Sequence, residues 1–206
     1  MPFRPGDPSL DSAYFERLYA ENPDPWNFSE SPYERAKYDD TMTALGDRRF
    51  VRAFEIGCSV GVLSLRLARR CDQLLCVDIN ERALTQARRR CAGSTNLRFA
   101  EMNVPHDFPA EHFDLVVASE VAYYWSDEDL QVAIDKIATA TSGGGTIELV
   151  HFLPKVEDYA RNGDAVHEAF LGDRRFVRTS GKRAERYRID VLTCRAEPGT
   201  DQQSRI

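Results

Sequence analysis

Between Arg49 and Leu153 the chain alternates short runs of apolar and β-branched residues with stretches whose apolar residues recur three and four apart. The short runs predict strands over 50–56, 73–77, 97–101, 113–119 and 146–152, and the periodic stretches predict helices over 60–70, 81–91 and 127–140. Strands and helices alternating in this order build an α/β fold, a mostly parallel sheet with helices on both faces. Ser126 and Asp129 form a capping pair at the start of the third helix, and Gly143-Gly144-Gly145 ends it and releases the next strand. After Pro154 the pattern changes to a short helix over 164–171 and then two alternating segments, 174–180 and 186–194. Joined across Gly181-Lys182, these read as a hairpin. The polar stretch over 197–206 is expected to be disordered.

The first 46 residues follow another pattern. Tyr14, Phe15, Leu18 and Tyr19 recur at helical spacing, Asn22-Pro23-Asp24-Pro25-Trp26 breaks that helix, and a second begins near Tyr33. The chain therefore divides into an N-terminal helical cap over 1–46, a sheet domain over 47–196 and a tail. Trp26 either packs on the core or closes a pocket from above.

Candidate chemistry begins where the first strand ends, at Phe54-Glu55-Ile56-Gly57-Cys58-Ser59-Val60-Gly61. Gly57 and Gly61 let the backbone turn tightly from strand to helix and approach a ligand. Asp78 ends the second strand about one strand-helix-strand unit later, where a carboxylate accepts both hydroxyls of a ribose. A dinucleotide site would read G-x-G-x-x-G with a pyrophosphate on the helix N-terminus. Here the corresponding positions are Gly57, Ser59 and Val62, and Glu55 repels a pyrophosphate but suits an ammonium or sulfonium group.

Glu55 to Gly61 resembles the E-x-G-x-G-x-G motif of class I S-adenosylmethionine-dependent methyltransferases, departing only at Ser59, which must then take a backbone angle open to a non-glycine residue. Asp24-Pro25-Trp26, Glu34-Arg35 and the stretch Ser119-Glu120-Val121-Ala122-Tyr123-Tyr124 are similar to the small methyltransferases of the nodulation protein S type. The resemblance implies a Rossmann-like, mostly parallel seven-stranded sheet closed by a C-terminal antiparallel hairpin, with S-adenosylmethionine as cofactor and S-adenosylhomocysteine as product. It places Gly57, Cys58, Ser59 and Gly61 around the methionine part, Asp78 on the ribose and Ile79 on the adenine. Glu55, Trp26 and Arg35 complete the cofactor side. Met102 and Asn103 fall where the family keeps an adenine-recognising motif. An amide can accept the adenine amine there without a charge, and Met102 reads equally as a core plug.

Phe113-Asp114-Leu115-Val116 matches the family's fourth-strand motif, with Asp114 read as structural. Glu120 would then point near the transferred methyl, Tyr123, Tyr124 and Trp125 would line the acceptor pocket, and His151 is a candidate acceptor-side base after Glu120. The family methylates the free amine of a deacetylated chitooligosaccharide, so N-methylation of an amino sugar or similar small amine is expected here. O- or S-methylation of another small molecule, as in thiopurine methyltransferase-like proteins, and a binding module without turnover are the competing readings.

Composition narrows the setting. No apolar run approaches the roughly 20 residues of a membrane helix, and Met1 to Gly6 lack a secretory signal, so a cytoplasmic location without membrane contact is expected. The five cysteines are odd in number and lack C-x-x-C spacing, which predicts reduced core thiols and no metal. A net charge of −6 argues against nucleic acid. Arg66, Arg69 and Arg70, and Arg88 to Arg90, fall at helix ends, where cations complement the dipole. A small-molecule acceptor is the expected partner, and the oligomeric state is left open.

Overall fold

The computed structural model describes residues 3–4, 6–141 and 143–195, so the tail expected to be disordered lies outside the described residues. Seven strands form one sheet in the order β3-β2-β1-β4-β5-β7-β6. They are β1 (Phe50–Ile56), β2 (Cys71–Asp78), β3 (Leu97–Glu101), β4 (Leu115–Ser119), β5 (Thr146–Phe152), β6 (Phe176–Arg183) and β7 (Tyr187–Cys194). The first five pair in parallel, and β7 pairs antiparallel with both β5 and β6. Helices α3 (Val62–Leu67), α4 (Glu81–Arg90), α5 (Asp127–Ala140) and α6 (Gly163–Leu171) follow β1, β2, β4 and β5, and α1 (Ser12–Glu21) and α2 (Pro32–Ala44) precede the sheet.

The core lies on both faces, as near-continuous apolar strands require. Phe54, Ile56, Val116, Ala118, Ile147 and Leu149 pack on one side with α5 and α6, whereas Ala53, Leu74, Cys76, Leu115 and Val117 pack on the other with residues of α2, α3 and α4. Phe15 and Tyr19 of α1 are buried in the first of these cores, so the cap shares the core of the sheet. All five cysteines are buried free thiols. Among the described residues no helix is long and apolar enough to cross a membrane.

Several boundaries moved. The helix expected over 60–70 is α3 followed by a 3-10 turn over Ala68–Arg70. β4 starts at Leu115, and the Asp114 carboxylate just before it accepts the Val51 and Arg52 amides at 2.8 Å each. The Ser126 cap holds, its hydroxyl accepting the Asp129 amide. The hairpin turn is displaced: Gly181 and Lys182 lie inside β6, and the chain turns over 184–186. A Cβ at Gly181 would stand 2.5 Å from the Ile189 carbonyl oxygen, so this glycine serves a close approach between strands and not a turn.

Candidate functional site

The site forms at the carboxyl ends of β1, β2 and β4, where open α/β sheets hold their ligands. After β1 the backbone takes positive φ at Gly57 (74°), Ser59 (47°) and Gly61 (78°). A Cβ at Gly61 would sit 2.9 Å from the backbone of Ala87, so the loop seats directly on α4. The amides of Gly57 and Cys58 both donate to the Val77 carbonyl, at 2.8 and 2.9 Å, which ties the loop to β2. Ser59 accommodates its left-handed backbone and uses its hydroxyl in a 2.5 Å hydrogen bond with the Tyr19 hydroxyl of α1.

Asp78 is braced from two sides. One carboxylate oxygen accepts the Ser59 amide at 2.8 Å and the other accepts the Asn80 amide at 3.0 Å. Burial raises its pKa to about 6, against the lowering effect of these amides. Glu55 is fully buried at the base of the loop, where burial raises its pKa to about 7, and its Oε2 has no hydrogen-bond partner.

These residues border a cavity with about 910 Å³ of empty space, counted out to its open mouth. Trp26, Glu55, Gly57, Cys58, Ser59, Asp78, Ile79, Met102, Asn103, Glu120, Tyr124 and Trp125 line it, all of them singled out from sequence. Phe15, Tyr19, Phe28 and Tyr38 complete a largely aromatic roof. Trp26 and Phe28 stack at 5.6 Å between ring centres, and Tyr19 meets Trp26 edge-on. The roof is held by α4: Arg82 pairs with Glu16, Gln86 donates to the Pro23 carbonyl, and Arg90 donates to both Ser29 and the Val60 carbonyl.

Four of the expected site residues do not line the cavity. Gly61 caps α3 behind the cavity wall. Arg35 is exposed, because the inward face of α2 consists of Glu34, Lys37, Tyr38 and Thr41, and Arg35 falls outside that stripe. Tyr123 is buried beneath the cavity, its hydroxyl donating to Glu120. His151 is the larger correction. It is 0% exposed and faces α6. Its Nε2 accepts the Ala122 amide at 3.3 Å, so its Nδ1 carries the proton and donates to His167 Nε2 at 3.2 Å. His167 Nδ1 then donates to Asp190 at 2.8 Å. Burial lowers the pKa of both imidazoles, which favours their neutral forms, and neither lines the cavity, so His151 links the sheet to α6 and lies away from the acceptor position expected of it.

Glu120 stands at the mouth of β4 and lines the cavity. Its backbone is left-handed, with φ of 56°. Its Oε1 receives the ammonium of Lys37, and its Oε2 receives the Tyr123 hydroxyl and the Phe152 amide. Sequence reasoning missed Lys37, because a lysine in a helix with little amphipathic pattern reads as a solvated charge; its i, i+3, i+4 alignment with Glu34 and Tyr38 was the available signal.

The family model of nodulation protein S matches residues 14–149. Nodulation protein S of Rhizobium tropici is 28% identical over 124 residues, covering 59% of this chain and 52% of that protein. The chain spans about half the length of the first curated relatives it matches. A solved structure from Pseudomonas syringae, provisionally named a methyltransferase, is 34% identical, with a TM-score of 0.70 over 78% of this chain and 98% of that one. The N-methyltransferase NodS of Bradyrhizobium japonicum, solved with S-adenosylhomocysteine, shares the fold at 24% identity, with a TM-score of 0.75 over 89% of this chain and 97% of that one. A model matched over most of the sheet, the same fold, and the glycine loop facing Asp78 agree: the chain belongs to the nodulation protein S family of class I S-adenosylmethionine-dependent methyltransferases.

Proposed function

We propose that this protein methylates the nitrogen of a small amine, an amino sugar of the chitooligosaccharide type being the favoured acceptor. The observation that carries this reading is the placement of Asp78 and Glu120 in one cavity, with the glycine loop between them. Asp78 is set to accept the ribose hydroxyls, Ile79 and Met102 to pack on adenine with Asn103 at its edge, and the Gly57 to Ser59 backbone to approach the methionine part. The partnerless Glu55 oxygen fits the methionine ammonium, directly or through water, so the residues present suit S-adenosylmethionine.

S-adenosylmethionine supplies, when bound, a methyl group on a positively charged sulfur. The acceptor nitrogen would give its lone pair to that methyl as the carbon–sulfur bond breaks toward sulfur, leaving a neutral thioether, and the ammonium so formed would lose its proton to solvent once the product leaves the site. The protein's own part is position and charge. Tyr124 and Trp125 wall the reaction from water, which strengthens every electrostatic contact within. Glu120 supplies a fixed negative charge beside the atoms that share the developing cation. Holding the two reactants in line lowers the barrier by up to about 7 to 11 kcal/mol.

The test is product analysis by mass spectrometry with S-adenosylmethionine and a panel of amine, hydroxyl and thiol acceptors, including glucosamine oligomers with a free amine. Methylation of the amines alone supports the reading. Methylation of hydroxyls or thiols alone, or cofactor binding with no product from any acceptor, refutes it.

A further inference from the structure

Glu120 is restrained more fully than a simple wall residue needs to be, and one of its restraints comes from the cap. Among the described residues Lys37 is the one fully buried lysine, 1% exposed. Its ammonium lies 3.1 and 2.9 Å from the two oxygens of Glu34 on its own helix and also pairs with Glu120 across the cavity wall. The Tyr33 ring lies 5.2 Å from it.

Neutralising Glu34 would require only the first contact. The second commits Glu120 Oε1, while Tyr123 and Phe152 commit Oε2, so the carboxylate cannot rotate to follow a ligand. The left-handed backbone of Glu120 is a conformation that persists where its surroundings enforce it, here with the Glu120 amide bound to the Val150 carbonyl at 2.8 Å. Of the three charged groups only Glu120 lines the cavity.

We propose that Lys37 is a positioning residue for methyl transfer: from the cap helix it holds the Glu120 carboxylate in one orientation beside the sulfur and nitrogen between which positive charge passes. This rests on the methyltransferase reading above. It also makes the cap part of the transfer site, as well as a cover for the cofactor.

The experiment compares wild type, Lys37→Met and the double variant Lys37→Met with Glu34→Gln. The single variant strands the buried Glu34 carboxylate and should unfold at lower temperature. The double variant removes the stranded partner as well, so its thermal stability should return toward wild type. If Lys37 positions Glu120, kcat with the amine acceptor stays roughly 10- to 100-fold low in the double variant, a larger loss than the few-fold rise expected in its KM for S-adenosylmethionine. Recovery of kcat together with stability would overturn the proposal, since Lys37 would then only neutralise Glu34. Should the double variant fail to fold, Lys37→Gln with Glu34→Gln is read in the same way.

A second readout does not depend on an acceptor. The affinity ratio of S-adenosylmethionine to S-adenosylhomocysteine measures how the site treats a charged against a neutral sulfur, and it should fall by about threefold or more in the double variant as Glu120 loses its orientation. If wild type methylates no amine, the functional reading fails, and this ratio decides the role of Lys37 alone: a fall supports it and an unchanged ratio overturns it.

Discussion

Glu148 invites a stability measurement. It lies in the middle of β5, between Val117 of β4 and Val191 of β7, fully buried, and neither of its carboxyl oxygens has a hydrogen-bond partner. Burial alone pushes its pKa well above the carboxylate range. Replacing it with leucine removes an orphaned polar group at nearly constant volume, and an orphan of this kind costs about 1 to 3 kcal/mol. With roughly 2 to 4 °C of melting temperature per kcal/mol in a chain of this size, Glu148→Leu should melt roughly 2 to 12 °C higher than wild type at neutral pH. The gain should depend on pH with a definite sign. A carboxyl whose folded pKa is raised favours the fold fully below its unfolded value of about 4.3, and that contribution is lost as pH rises toward the folded value, at up to about 1.4 kcal/mol per unit. The margin between variant and wild type should therefore widen from pH 5 to pH 8. Thermal and urea unfolding at pH 5, 6.5 and 8 would follow it. A leucine variant less stable than wild type at every pH, or a margin independent of pH, would show that the carboxylate has a partner in solution and refute the reasoning.

Asp78→Ala should weaken S-adenosylmethionine binding at least about 100-fold, because two ribose hydroxyls lose a charged acceptor and the Ser59 and Asn80 amides lose theirs; calorimetric titration reads this directly. In wild type, S-adenosylmethionine affinity should fall toward tenfold per pH unit below about 6, as Asp78 is protonated, while the cofactor-free fold is not weakened by that protonation, since a raised pKa means that the fold favours the neutral carboxyl. His151→Gln should cost about 1 to 3 kcal/mol in urea unfolding yet leave the pH limbs of kcat/KM in place; a shifted limb would return His151 to the reacting groups.

What was legible in the sequence was whatever rests on local backbone geometry. The glycine turn, Asp78 one unit later and the stretch from Ser119 to Trp125 mark themselves, since strand ends and tight turns admit few residue types. The first five strands were legible as short apolar or β-branched runs between turns, and the last two as alternating segments on either side of a turn. What failed depended on side-chain direction or on partners far along the chain. His151 sits on β5 within reach of the site in sequence terms, but strand alternation turns it toward His167 of α6, which in turn bonds Asp190 of β7. Arg35 and Lys37 are two residues apart on one helix, and the roughly 200° between them sends the first to solvent and the second to Glu120. Gly181 read as a turn because glycine usually marks one, whereas its reason is the crowding of β6 against β7.

The sheet order carries a consequence for biosynthesis. β7 lies between β5 and β6 yet follows both in the chain, so while the protein is being made the free edge of β5 stays open until residues Tyr187–Cys194 have left the ribosome. An open, apolar edge is a template for pairing with other chains. Premature stops before Tyr187 would therefore yield aggregates in place of a trimmed enzyme, and slow translation through this last strand would prolong the hazard in every molecule made.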